Sequence, residues 1–61
     1  MDIHPSAVVD TQAELATDVI IRPHCVIGPH VTIGSGSVIG PHVVIDGWTA
    51  IGAGNREEAG A

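Results

Sequence analysis

The sequence is poor in the residues from which most small cores and binding surfaces are built. It has one leucine, one cysteine and one aromatic residue, Trp48, and it has no lysine, phenylalanine or tyrosine. Compact cores normally draw much of their bulk from aromatic side chains, so an ordinary globular core is disfavoured. The single Cys25 excludes an intrachain disulfide framework and fits a reducing compartment, which favours a cytoplasmic location.

Positive charge is also scarce. The chain carries two arginines and a formal net charge of −5. Without a basic patch that displaces phosphate counterions, nucleic-acid binding and attachment to anionic membranes are both disfavoured. The longest apolar runs, such as Val19 to Ile21, are far shorter than the roughly 18 residues of a membrane span. The residues after Met1 include no basic and apolar segments of the kind that form a signal peptide.

What the sequence does have is an aliphatic residue at every sixth position. Each of these anchors from Val9 onward is preceded, two places earlier, by a small or β-branched residue, and all four prolines lie two places after an anchor. Proline belongs at turns because it cannot donate to a strand ladder. The repeat therefore predicts one short strand and one turn per six residues. The anchors are Ile3, Val9, Leu15, Ile21, Ile27, Ile33, Ile39, Ile45 and Ile51.

Three such units close one triangular coil of 18 residues, so the period predicts an all-β fold, a parallel β-helix of about three coils over residues 1–56. Successive coils would lie about 4.8 Å apart. Anchors 18 positions apart would then stack in three interior columns. Position 57 is Glu57 instead of an aliphatic residue, so residues 57–61 are expected to form a polar C-terminal tail whose charges discourage strand addition.

Several stretches of the sequence resemble the acyl-[acyl-carrier-protein]–UDP-N-acetylglucosamine O-acyltransferases, a family of hexapeptide-repeat acyltransferases. They are residues 3–7 (IHPSA), residues 23–34 (PHCVIGPHVTIG), residues 42–47 (HVVIDG), residues 49–52 (TAIG) and Asn55. The resemblance covers about residues 3–56. It implies that the β-helix is left-handed and that the chain is the N-terminal part of such an enzyme, which performs the first step of lipid A biosynthesis.

The resemblance also implies how such an enzyme works. The family forms homotrimers, uses no cofactor, and transfers a 3-hydroxyacyl chain from acyl carrier protein to a sugar hydroxyl of UDP-N-acetylglucosamine. Its histidine general base lies on later coils, in a cleft between subunits. We therefore expect no catalytic, cofactor-binding or metal-binding residue in these 61 residues, which as a truncated enzyme would be inactive alone.

Two alternatives remain open at the level of the sequence. The chain could be a non-catalytic β-helix that serves as a scaffold or oligomerisation module. It could also be part of another hexapeptide acyltransferase or acetyltransferase. A chain this short buries only about 60% of its unfolded surface, so under every reading we expect a marginal fold that gains stability from self-association.

The histidines are the natural candidates for a metal site or a general base. His24, His30 and His42 share the corner position of the repeat, where positive φ angles are tolerated, so they are predicted to be turn residues. His24 and His42 are 18 positions apart and should stack above Ser6. Two imidazoles are fewer than the three protein ligands of a catalytic zinc.

Three further residues are singled out by their type. His4 is predicted to cap the first coil. Cys25 occupies an inward position, which predicts a buried and inert thiol. Trp48 is predicted to face outward above His30, either as a partly covered corner side chain or as a contact with a neighbouring subunit, since tryptophan is enriched at interfaces.

Overall fold

The computed structural model describes residues 1–57, and every regular element in that range is a short β-strand. The strands follow the hexapeptide period along the chain. They are β1 (Asp2–Ile3), β2 (Val8–Val9), β3 (Glu14–Leu15), β4 (Ile20–Ile21), β5 (Val26–Ile27), β6 (Val31–Ile33), β7 (Val38–Ile39), β8 (Val44–Ile45), β9 (Thr49–Ile51) and β10 (Arg56–Glu57).

The strands form three parallel sheets, one for each side of a triangular coil. Sheet 1 has the order β1-β4-β7-β10, sheet 2 the order β2-β5-β8, and sheet 3 the order β3-β6-β9. Each strand therefore pairs with the strand three units later in the chain. Hydrogen bonds between coils include Val8 N–H to the Cys25 carbonyl at 2.8 Å and Gly28 N–H to the Ile45 carbonyl at 2.8 Å.

The register confirms the three predicted columns, because paired residues are 18 positions apart throughout. Ile3 pairs with Ile21 and Ile21 with Ile39 in sheet 1. The equivalent columns are Val9, Ile27 and Ile45 in sheet 2 and Leu15, Ile33 and Ile51 in sheet 3. The fold is a parallel β-helix of about three coils, and its hexapeptide repeat fits the left-handed form.

Burial is deepest in the middle of the stack. Ile21, Ile27, Ile33 and Ile39 are at most 1% exposed, whereas Ile3 in the first coil is 37% exposed. The difference follows from stacking, since an anchor in the middle is covered by a coil on each side and an anchor in the first coil by one. Cys25, at 0% exposure, confirms the predicted buried thiol.

The end of the described chain differs from the expected boundary. Glu57, expected to begin the polar tail, lies in β10, pairs in register with Ile39, and accepts a 2.7 Å hydrogen bond from Gly40 N–H at its carbonyl. A strand ladder uses backbone groups, so it continues to the next anchor position, six residues past the last aliphatic anchor, Ile51. Residues 58–61 of the expected tail lie outside the described residues.

The corner histidines lie in turns or bends, as predicted, but their backbone conformations differ. His24 and His42 adopt the left-handed conformation, with φ of 61° and 60°. His30 does not. Its carbonyl accepts a hydrogen bond from Thr49 N–H at 3.1 Å and β6 begins at the next residue, so His30 is part of the ladder. In the coil above, the left-handed residue of this corner is Gly47, with φ of 73°.

Within residues 1–57, no helix has the length and hydrophobicity that crossing a membrane would require.

Candidate functional site

The three corners of the coil differ in charge, and we name them by it. The basic corner (residues 4–6, 22–24 and 40–42) joins sheets 1 and 2 and carries Arg22 and three histidines. The acidic corner (residues 10–12, 28–30 and 46–48) joins sheets 2 and 3 and carries Asp10 and Asp46. The third corner (residues 16–18, 34–36 and 52–54) carries Asp18.

Two histidines stack on the basic corner, as their spacing predicts. The imidazole rings of His24 and His42 have centroids 5.1 Å apart and lie within 14° of parallel. Ser6 lies in the coil below, where its Oγ accepts a hydrogen bond from His24 N–H at 3.1 Å. Both rings are exposed. The left-handed backbone of each histidine turns its side chain outward and leaves the interior to the aliphatic anchors.

His4 completes this corner in the first coil. Its Nδ1 accepts the Ser6 backbone N–H at 3.1 Å and lies 2.8 Å from Ser6 Oγ. Ser6 Oγ therefore contacts His4 Nδ1 and at the same time accepts the His24 backbone N–H. One serine thus links the first turn to the second coil, and the role of His4 as a cap stays a prediction.

A serine beside a histidine is also the arrangement of nucleophilic catalysis, where a third group orients the base. The basic corner offers no such group, because no acidic residue occurs among its nine positions. Ser6 Oγ is moreover engaged by a backbone amide of the next coil. The contacts of this pair therefore fit a structural link between coils and not an acyl-transfer centre.

The third corner contains a link that inspection of the sequence did not identify. Asp18 Oδ1 accepts Gly36 N–H at 2.9 Å, and its Oδ2 accepts the Ser35 hydroxyl at 2.8 Å. The Gly36 amide, followed by the Ser35 hydroxyl, lowers the pKa of the Asp18 carboxyl below its ordinary value. The signal that could have revealed this link was the spacing of 18 between Asp18 and Gly36.

The acidic corner carries a flat exposed platform. Trp48 is 86% exposed, and its indole stacks on the His30 imidazole with centroids 3.8 Å apart and planes within 9°. This confirms that Trp48 faces outward above His30. The two rings border a shallow cleft of about 320 Å³, whose other lining residues are Gln12, Glu14, Pro29, Val31 and Thr32.

A larger apolar cavity, of about 680 Å³, lies at the mouth of the first coil. Ile3, Val9, Leu15 and Ile33 are among the residues that line it. These are anchors of the interior columns, so the cavity is the open end of the core. Among residues 1–57, no cluster of three or more histidine, cysteine or acidic side chains could hold a metal ion.

Comparison with known proteins then settles the family. The profile described as bacterial transferase hexapeptide (six repeats) matches residues 13–47, more than half of the chain. The chain belongs to this hexapeptide family. The match covers the middle of the β-helix, from β3 through β8.

Individual relatives of this hexapeptide chain share one description. It is 61% identical over 56 residues to the acyl-[acyl-carrier-protein]–UDP-N-acetylglucosamine O-acyltransferase of Syntrophobacter fumaroxidans, covering 92% of this chain and 22% of that protein. A protein of the same name from Saccharophagus degradans is 55% identical over 53 residues, covering 87% of this chain and 20% of that protein. The chain spans about a fifth of the length of the curated relatives it matches.

Proposed function

We propose that this hexapeptide chain forms the first coils of an O-acyltransferase that acylates UDP-N-acetylglucosamine from acyl carrier protein, the reaction that opens lipid A assembly. The observation that supports the proposal is the 61% identity over 56 residues to a protein of that name. The 56 aligned residues are enough to span all three coils. Along these coils, paired residues in the structure are 18 positions apart from the first strand to the last.

In this proposal the 61 residues contribute a rigid framework and no reacting group. The stacked coils supply a rigid end on which further coils of the same cross-section continue, and the general base and sugar-nucleotide contacts lie on those further coils. The contacts made by the histidines within residues 1–57 support this proposal. The exposed histidines are joined to serine, to one another or to tryptophan, and within these residues none contacts a carboxylate in the manner of an oriented base.

A chimera tests the proposal. Residues 3–56 would replace the aligned segment of the Syntrophobacter fumaroxidans enzyme, and acyl transfer from acyl carrier protein to UDP-N-acetylglucosamine would be measured. We expect a rate within about ten-fold of the parent, a barrier change below about 1.4 kcal/mol. A chimera with the parent's circular dichroism and melting temperature but no transfer would contradict the proposal and favour the scaffold alternative.

The 61-residue chain alone is the matched control for the location of the chemistry. In the same assay we expect no turnover above the uncatalysed rate, because the proposal places the reacting groups on other coils. Turnover by the isolated chain would show that a residue in this segment is catalytic.

A further inference from the structure

The imidazoles of His24 and His42 are metal-ligating groups whose nitrogen atoms the fold does not use. Both rings are exposed, and their centroids are 5.1 Å apart. Within residues 1–57, neither ring forms a hydrogen bond or an ion pair with another residue. His4, by contrast, already accepts the Ser6 backbone N–H at its Nδ1. The ring nitrogens of His24 and His42 are therefore available to a ligand.

The backbone holds the two histidines in equivalent positions on successive coils. Both are left-handed, with φ of 61° and 60°. His24 N–H donates to Ser6 Oγ at 3.1 Å, and His42 N–H donates to the Pro23 carbonyl at 3.1 Å. Equal backbone angles direct the two side chains the same way, so the rings overlie one another at about the spacing of neighbouring strands, 4.8 Å. The coil thus fixes the distance between the rings, while each exposed ring can still rotate about its own side-chain bonds.

The separation of the two rings matches the geometry of zinc coordination. An imidazole nitrogen binds zinc at about 2.0–2.1 Å, which places the centre of the ring about 3.2 Å from the metal. At a tetrahedral angle, two such rings have their centres about 5.2 Å apart. The observed separation is 5.1 Å. Both rings can therefore reach one ion by turning out of the parallel stack, without a change in the distance between the coils.

The surroundings of the pair select the class of ion. The nine positions of the basic corner include Arg22 and no carboxylate. Magnesium and calcium require oxygen ligands, so they do not suit this corner. Imidazole suits zinc, copper and nickel, and the net charge of −5 on the chain attracts cations in general. Two imidazoles hold such an ion less tightly than the four ligands of a structural zinc site.

We propose that His24 and His42 together bind one divalent late transition-metal ion such as zinc, through one nitrogen of each imidazole. His24 lies in the second coil and His42 in the third, so the bound ion joins these two coils. The proposal departs from the expectation, made from the sequence, that the chain has no metal-binding residue. It does not depend on the proposed function, since it rests on two side chains and their spacing alone.

The first test follows the four histidines while zinc is titrated into the 61-residue chain. The buffer is non-coordinating and near neutral pH, and the ring protons are observed by nuclear magnetic resonance. We expect the signals of His24 and His42 to shift and to reach saturation at one zinc ion per chain. The signals of His4 and His30 should stay in place. Equal shifts at all four histidines, or no shift with zinc in large excess, would overturn the proposal.

The second test uses asparagine variants, because asparagine also tolerates the left-handed backbone of this corner. Circular dichroism checks that each variant folds, and calorimetric titration measures its affinity for zinc. We expect His24→Asn and His42→Asn each to bind zinc more than about ten-fold more weakly than wild type, because one imidazole alone forms no chelate. His30→Asn removes a histidine outside the pair and should bind zinc as wild type does. Equal affinities in all three variants would contradict the pair.

The third test asks whether the ion joins two coils of one chain. A metal that binds the folded chain in preference to the unfolded chain raises the urea midpoint. We expect zinc to raise the midpoint of wild type and of His30→Asn, and to leave those of His24→Asn and His42→Asn unchanged. A wild-type midpoint that saturating zinc does not raise would overturn the proposal. Zinc affinity that increases with chain concentration would also overturn it, since the ion would then lie between two copies.

Discussion

At the scale of single residues, polar side chains at the corners join one coil to the next. Ser6 binds the amide of His24, and Asp18 binds the amide of Gly36, each across one coil. In the interior, Ser37 is fully buried and donates its hydroxyl to the Gly52 carbonyl at 2.9 Å. Within residues 1–57, no buried side-chain nitrogen or oxygen lacks a hydrogen-bond partner. These contacts complement a backbone ladder whose strands are only two or three residues long.

The hydrogen bonds of Asp18 make the stability of the fold depend on pH. Its carboxylate accepts the Gly36 amide and the Ser35 hydroxyl, which lowers its pKa in the folded chain below the ordinary value of 3.8. A lowered folded pKa means that the ionised carboxylate stabilises the fold above pH 3.8 and that this contribution is lost as the pH falls below it. Asp18→Asn should therefore unfold more easily than wild type at neutral pH, and the difference should shrink in acid.

Urea unfolding of wild type and Asp18→Asn, followed by circular dichroism from pH 7 to pH 3, measures this difference. The gap between the two midpoints should narrow toward the acid end of the range. A difference in midpoint that stays constant with pH would contradict this, because it would show that the negative charge of Asp18 adds nothing to the stability of the fold.

At the scale of the coil, glycine residues allow one turn to pack closely against the next. A Cβ at Gly34 would lie 2.7 Å from the backbone nitrogen of Ala53 in the next coil. Gly52 occupies the same position one coil later, where a Cβ would meet only the Asn55 Nδ2 at 3.5 Å. Neither glycine has a positive φ angle, so space alone distinguishes them.

Gly34→Ala and Gly52→Ala are thus a matched pair. Gly34→Ala should destabilise the chain by about 1–3 kcal/mol, the usual cost of forcing an extra methyl into a packed site. Gly52→Ala should be neutral or slightly stabilising, because it restricts the unfolded chain without a clash. Urea midpoints of both variants check this, and equal losses would contradict the stacking of the third coil on the second.

How much could be predicted from the sequence depends on the part of the coil. The interior columns and the Trp48–His30 and His24–His42 stacks follow from the period alone, because a constant repeat fixes which residues overlie one another. The conformation of His30 does not follow, since it depends on whether its carbonyl joins the ladder to Thr49. The left-handed conformation of Gly47 was not predicted for the same reason, since the backbone conformation of the turn differs from corner to corner.

The prediction of function from the sequence was limited by a different factor. The hexapeptide family and the likeness to O-acyltransferases could be identified from motifs such as residues 23–34, and both are supported by the comparisons. Val8, Val26 and Val44 recur at every eighteenth position but were not singled out as one exposed column. An outward valine looks like any other strand residue until the register shows that three of them share one face.

At the scale of the whole molecule, one property organises the fold: residues 18 positions apart are neighbours. Sheets, corners and interior columns all follow from that spacing. A flat meander of the same hexapeptides would satisfy the same aliphatic period but would bring residues of adjacent strands together across each turn.

Methyl–methyl nuclear Overhauser effects in solution distinguish these arrangements most directly. With isoleucine methyl labelling, Ile21 should show cross-peaks to Ile3 and to Ile39, its partners one coil away on each side. Ile27 should show one to Ile45. A spectrum of the folded chain in which Ile21 lacks cross-peaks to both Ile3 and Ile39 would contradict the three-coil β-helix.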